Sequence, residues 1–404
     1  MTTYYVSTTG NDSNAGTSTG AAFATIGKFG SVVADYDVCY VEEGTYDITL
    51  DTPNVSNGRL DLDATRGVTV EGYATTPGDK AGLATFDVGN GYVNTSYMPI
   101  FNGDSFYNEL RAPSYFTNIR VIDSATTTTG GWSTSRLYTG FGTQGATVVT
   151  NCVAEGASGN GFTDNLQLIN CVAKNCSSGF SFNRYSLNCV AYQCDKSFNG
   201  VRAVVGGVII EPYGDECFMP QTNGLYSGCI GYSSVAVSPK DASPIVWFGR
   251  DSGCGQALIT GSLFEGGTYL SGNDRTVGGN YEFTELQVQN CAIYNVPNAD
   301  LGNLTSNHQN ITTLTESPFL VPPTEDQVQL KNNSQELYDW SNVSLGVGPS
   351  TVQLPNQSTQ LIITGKYDIQ GSSLPDSTFF PFRFAAGGSF TTDPPTRHPI
   401  AENL

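Results

Sequence analysis

Charged side chains are scarce in this chain of 404 residues, where Asp, Glu, Lys and Arg together make up 14%. The 37 Asp and Glu outnumber the 18 Lys and Arg, which leaves a formal net charge of −19. Nucleic-acid binding needs clustered cations, so we expect no nucleic-acid partner. The acidic balance is instead typical of a surface whose copies repel one another.

Long apolar runs and targeting segments are missing as well. No stretch of 18 or more apolar residues occurs, so we expect no membrane insertion. The opening residues, 1–6, lack the basic, apolar and small-residue parts of a secretory signal. We therefore expect a protein that is made in a reducing cytoplasm.

Histidine is nearly absent, with only His308 and His398 in the whole chain. Because no Cys-x-x-Cys pair occurs either, we expect no metal site, and a Ser-His-Asp arrangement is disfavoured. The ten cysteines are therefore expected to be reduced, buried and structural.

Five short segments around a cysteine repeat one another. They are Thr150–Ala154, Ile169–Ala173, Leu187–Ala191, Ser227–Gly231 and Gln289–Ile293. The cysteine spacings of 19, 18, 40 and 62 fit one, one, two and three periods of about twenty residues. A fixed short period predicts a solenoid, in which each coil buries its apolar side only against its neighbours.

Stacked coils of that period would place like residues on like. We expect Cys over Cys, Asn over Asn, and an aromatic or aliphatic row through Phe162, Phe180 and Val201. Cys176 and Cys194, which are 18 apart, predict a second cysteine row. The 46 glycines and 19 prolines fit a turn-dense all-β chain, and no long stretch has helical spacing.

The first fifty residues contain three motifs that together resemble a known family. They are Tyr5–Thr17 with its Asn-Asp-Ser-Asn-Ala-Gly run, Phe23–Ile26, and Asp37–Tyr46. These motifs resemble the N-terminal cap and first coil of right-handed parallel β-helix proteins of the pectate-lyase-like superfamily. A short amphipathic helix at about 26–33 would close the first coil.

The resemblance implies an all-β fold, namely a right-handed parallel β-helix with an N-terminal cap and a C-terminal β-rich segment. We expect the cap and first coil at 1–50 and the β-helix with its loop insertions at 51–302. The C-terminal segment is expected at 303–390 and an extended tail at 391–404.

Interruptions of the repeat are where the binding surface of a solenoid is expected. They lie at 124–139, 209–223, 235–255 and 268–281. Aromatic and charged residues there predict a glycan-binding surface, because sugar rings pack on aromatic faces and hydroxyls bond to polar side chains. The predicted glycan-binding residues are Trp132, Lys240, Trp247 and Phe248.

The same interruptions offer candidates for a catalytic site, which are Asp241, Arg250, Asp251 and Glu265. Glycoside hydrolysis needs two carboxylates at a fixed separation. A lyase needs a base such as Lys240 or Arg250 and neutralisation of a uronate, and Ca²⁺ is an expected cofactor only in that case. The calcium-binding carboxylate pattern of the family's lyases is not repeated here, and the residues leave open whether the protein is catalytic.

A β-helix without a secretion signal and with reduced cysteines resembles the tail spikes and surface proteins of bacteriophages, which are made in the host cytoplasm. We therefore expect a virion surface protein, first of all a tail spike that binds host-surface polysaccharide. Its partners would be other virion proteins, and it would form a homotrimer. The alternatives are a pectate-lyase-like polysaccharide-degrading enzyme, a capsid decoration protein and a cellular adhesin.

Overall fold

The computed structural model is nearly all-β, as the repeats predicted. It describes residues 1–48, 55–56, 59–60, 67–79, 85–87, 92–94, 98–103, 106–108, 114–122, 139–143, 147–157, 159–163, 165, 167–187, 189–212, 216–227, 229–234, 244–248, 256–260, 262–266, 269–273, 285–296, 306–319, 322–323, 351–352 and 360–361. Within these ranges, no helix has both the length and the apolar character needed to cross a membrane.

Short strands follow one another along the described chain. Their bounds are β1 Thr3–Val6, β2 Val38–Glu42, β3 Thr45–Ile48, β4 Val55–Ser56, β5 Arg59–Leu60, β6 Thr69–Tyr73, β7 Thr85–Asp87, β8 Tyr92–Asn94, β9 Ile100–Gly103, β10 Phe106–Asn108, β11 Ser114–Thr117, β12 Arg120–Ile122, β13 Thr139–Thr143, β14 Thr147–Thr150, β15 Val153–Glu155, β16 Asn160–Thr163, β17 Gln167–Ile169, β18 Val172–Lys174, β19 Ser178–Ser181, β20 Tyr185–Leu187, β21 Val190–Tyr192, β22 Lys196–Val205, β23 Val208–Ile210, β24 Glu216–Ser227, β25 Ile230–Tyr232, β26 Pro244–Phe248, β27 Gln256–Thr260, β28 Leu263–Glu265, β29 Tyr269–Asn273, β30 Glu285–Tyr294, β31 Ser306–Thr313, β32 Thr351–Val352 and β33 Gln360–Leu361. A 3-10 turn spans Thr19–Ala21, and helix α1 spans Ile26–Gly30.

The strands stack into three parallel faces, which we name A, B and C in the order in which a coil visits them. Face A contains β1, β2, β6, β11, β14, β17, β20 and β27, the later parts of β22 and β24, and the first parts of β30 and β31. Face B contains β3, β9, β12, β15, β18, β21, β23, β25 and β28, with the later parts of β30 and β31. Face C contains β10, β13, β16 and β19, with the first parts of β22 and β24. The predicted parallel β-helix is confirmed.

The corner between faces A and B is built on asparagine. Asn118, Asn151 and Asn170 each follow a strand of face A and have φ of 58°, 53° and 53°. Asparagine tolerates this left-handed conformation better than most residues. Nδ2 of Asn170 donates to Oδ1 of Asn151 at 3.1 Å, so the predicted stack of Asn over Asn ties consecutive coils together.

Two cysteine rows run inside the coils, the first beside this corner and the second between faces B and C. Cys152, Cys171 and Cys189 are buried in one row, and Cys176 and Cys194 are buried in the second. The eight cysteines whose side chains the structure describes are free and buried. Burial raises the pKa of the Cys152 and Cys189 thiols, so they behave as small apolar groups and not as nucleophiles.

Phenylalanine rings stack through the core behind face C. The rings of Phe162 and Phe180 lie 5.1 Å apart, and those of Phe180 and Phe198 lie 4.8 Å apart. The predicted third member, Val201, was wrong, because the coil is 18 residues long here and Phe198 pairs with Phe180. Val201 instead lies within an irregular part of β22, with a register shift on either side of it. The backbone register places Phe106, Phe141 and Phe218 at the equivalent position of their own strands.

The later coils are longer than the repeat predicted. Ile230 pairs with Leu263, and Leu263 pairs with Ala292. The gap of 62 residues between Cys229 and Cys291 therefore holds two enlarged coils, and the expectation of three was wrong. Chain length between strands does not disturb the stacking, because only the strand residues take part in the ladder of hydrogen bonds.

Helix α1 and the loop before it close the N-terminal end. Ile26 and Phe29 are buried against the first coil, and the ring of Tyr4 contacts that of Phe29 edge-on at 5.7 Å. The carboxylate of Asp12 accepts from the backbone N–H and the hydroxyl of Thr25 at 3.0 and 2.8 Å, which fixes the start of the helix. The predicted capping helix is present, although it is shorter than expected.

The solenoid runs beyond the expected boundary at 302. Strand β31 pairs in parallel with β30 along faces A and B and adds a further rung. Residues 314–319 then turn back over the outer side of face B. Of the segments expected at 303–390 and 391–404, only β31, the turn, residues 322–323 and the antiparallel pair β32–β33 are described.

We predict that Phe180→Ala lowers the free energy of unfolding by about 3–5 kcal/mol, because it opens a cavity in the middle of the ring stack. Denaturant-induced unfolding measures the change. Phe182→Ala is the matched control, since this ring is 46% exposed and its loss should cost much less. Equal losses in the two variants would show that the stack does not carry the core.

Candidate functional site

Most residues predicted for function lie outside the part of the chain that the structure describes. They are Trp132, Lys240, Asp241, Arg250 and Asp251. Their roles in glycan binding and catalysis stay predictions.

Trp247 and Phe248, two predicted glycan-binding residues, lie in strand β26. This strand pairs in parallel with β29, which places Trp247 opposite Gly272 and Phe248 opposite Asn273. It follows β25 of face B, precedes β27 of face A and lies beside β24. It therefore takes the place of face C in its coil, so the expected interruption at 235–255 contains a regular coil strand.

Glu265, a predicted catalytic carboxylate, lies on the outer side of face B. The hydroxyl of Ser317 donates to its Oε2 at 2.6 Å, and the ring of Phe319 contacts that of Tyr232 at 5.4 Å. Tyr232 pairs with Glu265 on the neighbouring strand. Burial, followed by the charges of Glu211 and Glu265, raises the pKa of Tyr232. The structure thus places Glu265 beneath the returning chain and on a different face from Trp247.

A row of charges crosses the early coils of face B. Glu155 accepts a hydrogen bond from the guanidinium of Arg120 and lies 3.3 Å from Nζ of Lys174. Burial would raise the pKa of Glu155, but the hydrogen bond and charge of Arg120, together with Lys174, outweigh it and hold the pKa below its usual value of 4.5. Glu155 is paired with both cations, so the row stabilises the coils and does not offer a free base.

The lowered pKa of Glu155 predicts a pH-dependent part of the stability. A carboxyl group with a depressed pKa contributes stability above its usual pKa of 4.5, and that contribution is lost as the pH falls through the folded-state value. We expect Glu155→Gln to remove a difference of about 1 kcal/mol or less between pH 6 and pH 3. Denaturant midpoints across this range measure it, and parallel curves for the two proteins would contradict the expectation.

The corner between faces C and A carries an unusual aromatic residue. Phe182 has φ of 53°, a conformation that is rare for a bulky side chain, and its ring is 46% exposed. At the same position of the next coil lies Gly200, with φ of 63°. A Cβ atom on Gly200 would lie 2.9 Å from the Phe182 ring, so the ring can occupy its position only because residue 200 has no side chain.

Two arginines follow on the same corner in successive coils. The backbone N–H of Arg184 donates to Asn165, and that of Arg202 donates to Asn183. Because Tyr185 pairs with Ala203, the two arginines occupy equivalent positions on adjacent rungs. Arg184 is exposed and Arg202 is half-buried. Adjacent rungs are about 4.8 Å apart, so both side chains start within reach of one anion.

Buried amides hold this corner in place. Both the backbone N–H and Nδ2 of Asn165 donate to Oδ1 of Asn183 at 3.0 Å. Nδ2 of Asn183 donates in turn to the carbonyl of Phe162 at 3.1 Å. A buried and satisfied amide pair rigidifies its surroundings, so the aromatic ring and the two arginines stand on a preorganised support.

The chemistry of this corner fits an acidic sugar. An exposed ring offers a flat surface for the apolar side of a sugar, and guanidinium groups form paired hydrogen bonds with a carboxylate. Among the described residues, no three His, Cys, Asp or Glu side chains form a group that could hold a metal ion.

Phe182, Arg184 and Arg202 are not among the residues predicted for function, although the sequence contains a signal for the two arginines. Aligned on the core phenylalanine, segments 180–184 and 198–202 both place an arginine four residues later. Two successive repeats with a cation at one position are informative in a chain with only 18 Lys and Arg. The left-handed conformation of Phe182 could not be inferred from the sequence.

No protein-family model and no curated protein sequence matches this chain. Among solved structures, a rhamnogalacturonan lyase is similar over 84% of this chain and 99% of its own length, with a TM-score of 0.50 and 14% identity. The pectate lyase Pel9A matches 96% of this chain and 90% of its own, at 0.43 and 14%. A GH136 lacto-N-biosidase from Eubacterium ramulus matches 77% of this chain and 68% of its own, at 0.46 and 10%. The chain shares the parallel β-helix fold with the rhamnogalacturonan lyase, and identities this low show the fold alone.

We predict that Phe182→Gly is more stable than Phe182→Ala by about 1 kcal/mol. Both changes delete the ring, but only glycine adopts the left-handed conformation without strain. Chemical denaturation of the two variants gives the difference. If alanine were as stable as glycine here, the backbone at 182 would not be strained.

Proposed function

We propose that the protein is a polysaccharide-degrading enzyme that binds uronate-containing chains at the corner between faces C and A. The observation that carries this proposal is Phe182, which has a left-handed backbone and an exposed ring, close in sequence to Arg184 and one rung from Arg202. The two arginines occupy equivalent positions on adjacent rungs. A bulky residue in a left-handed conformation costs stability, and such strain concentrates at functional sites.

A lyase reaction fits this pair of cations better than hydrolysis. In β-elimination from a uronate, a base removes the proton at C5, the C4–O bond breaks, and a C4=C5 double bond forms while the leaving oxygen takes up a proton. The guanidinium groups of Arg184 and Arg202 would neutralise the carboxylate, which makes the C5 proton more acidic. Lys240 and Arg250, which flank β26 in the chain, stay our candidates for the base.

Hydrolysis is the alternative reaction of the same proposed class. It needs an acid and a second carboxylate held roughly 5–9.5 Å apart. Glu211 accepts from the backbone N–H of Ser234, and Glu265 accepts from Ser317, so both are engaged in structural contacts. Asp241 and Asp251 are the remaining candidates for that pair, and the appearance of reducing ends without unsaturated product would favour them.

A glycan-binding appendage of a bacteriophage is the second candidate function. The observation that favours it is the set of eight free, buried thiols, which suits a protein that folds in a reducing compartment. In this proposal the partners are host-surface polysaccharide and other virion proteins, and the assembly is a homotrimer. Quantitative mass spectrometry of purified virus particles tests it, because absence from the particles would exclude this role.

The proposed activity predicts an unsaturated product. With a polyuronate as substrate, the wild-type protein should generate an ultraviolet absorbance that grows with time, and Arg184→Gln and Arg202→Gln should each lower kcat/KM by about tenfold or more. Continuous absorbance and a reducing-end assay, run in parallel, separate elimination from hydrolysis.

Two controls make this test specific. Arg202→Lys keeps the charge but loses the paired hydrogen bonds, so its activity should fall between those of the wild type and Arg202→Gln. Lys28→Gln removes a cation from helix α1, far along the chain from the corner, and should change nothing. Activity that survives both glutamine substitutions would place the substrate elsewhere on the molecule.

A further inference from the structure

Exposed aromatic rings occur along one edge of the solenoid. Among the described residues, the large apolar side chains left most exposed are Met1, Val32, Tyr36, Tyr115 and Phe182. The three aromatic members are 60%, 47% and 46% exposed, respectively. Tyr36 lies two residues before β2, Tyr115 is the second residue of β11, and Phe182 lies three residues before β20, so all three are at or near the start of a strand of face A.

The strand ladder fixes the spacing of these rings along the solenoid axis. Face A passes from β2 through β6, β11, β14 and β17 to β20. Tyr115 is therefore two rungs from Tyr36, and Phe182 is three rungs further. At about 4.8 Å per rung, the line covers about 24 Å.

Tyr36 repeats the backbone arrangement of Phe182. It has φ of 64°, and the residue at its position in the next coil is Gly67, with φ of 66°. A Cβ atom on Gly67 would lie 2.6 Å from the Tyr36 ring. A strained aromatic residue next to a left-handed glycine thus occurs twice on the same edge, five rungs apart. This repetition indicates that the arrangement is not a peculiarity of a single turn.

The surface between the rings is shallow and carries small or medium-sized side chains. On the outer side of face A, the residues in line with Tyr115 are Thr69 on the preceding rung and Val148 and Gln167 on the two following rungs. All three are half-buried. Isolated rings above a shallow floor differ from the contiguous apolar patch that a protein partner needs, and they suit a polymer that touches the surface at intervals.

We propose that this edge is a track for a linear polysaccharide, which lies parallel to the solenoid axis and rests on Tyr36, Tyr115 and Phe182. The inference rests on the proposed function, since Phe182 with Arg184 and Arg202 forms the end of the track where the acidic sugar is held. Tyr36 and Tyr115 are remote contacts, so the substrate is a long chain and not a short oligosaccharide.

The test compares long and short ligands on a double variant. Titration calorimetry, at a low temperature where turnover is slow, gives the Kd of polygalacturonate and of its trimer. For Tyr36→Ala with Tyr115→Ala, we expect the polymer to bind about tenfold more weakly and the trimer to bind as it does to the wild type. The matched control is Tyr36→Phe with Tyr115→Phe, which keeps both rings and should keep the affinity for the polymer.

The outcomes separate the track from the proposed function. If the wild type binds both ligands and the double alanine variant loses affinity for neither, the track is wrong while the uronate site stands. Such a result would turn attention to a protein partner for these rings. If the wild type binds neither ligand, the proposed function fails, and the track fails with it. Thermal melting of each variant verifies that the fold is intact.

Discussion

The structure depends on one constraint, which is that each coil must present the same residues at the same places as its neighbours. A single coil has too few residues to bury its apolar side, so every ring and thiol in the core finds its contacts in the coils before and after. The stack from Phe162 through Phe180 to Phe198 and the row of Cys152, Cys171 and Cys189 are consequences of that register. Because the inside is repetitive, variation is confined to the corners and outer sides, and that is where chemistry can be placed.

The corners divide this work between two kinds of residue. At the corner between faces A and B, asparagines supply the left-handed turn and also bond to one another, as Asn151 and Asn170 do. Ahead of face A, the same backbone conformation is taken by Tyr36 before β2 and by Phe182 before β20, and both residues are poorly suited to it. The asparagines stabilise the fold, whereas the strained aromatic residues lower its stability but hold their rings at the surface.

The repeats predicted much of the fold because stacking leaves a direct trace in the spacing of residues. Asn-Cys segments 18 and 19 residues apart predict the coil length and the core rows without knowledge of the loops. Where the coils are longer, as between Cys229 and Cys291, the number of residues between two cysteines no longer gives the number of coils. The number of coils expected there was therefore wrong. The candidate site was harder to find. Trp247 stands out by its type, yet its strand proved to be part of a coil, whereas Phe182 is distinguished by a backbone angle that no spacing reveals.

The turn of residues 314–319 over face B has a consequence for the order of folding. Its contacts, Ser317 with Glu265 and Phe319 with Tyr232, reach β28 and β25, the second and third strands of face B before β31, so they cannot form until those coils are stacked. A solenoid without such a fastening frays from its last rung, since that rung has a neighbour on one side only. Here residues 314–319 cover the last rungs that the structure describes, so we expect loss of structure in these rungs to begin with release of this segment.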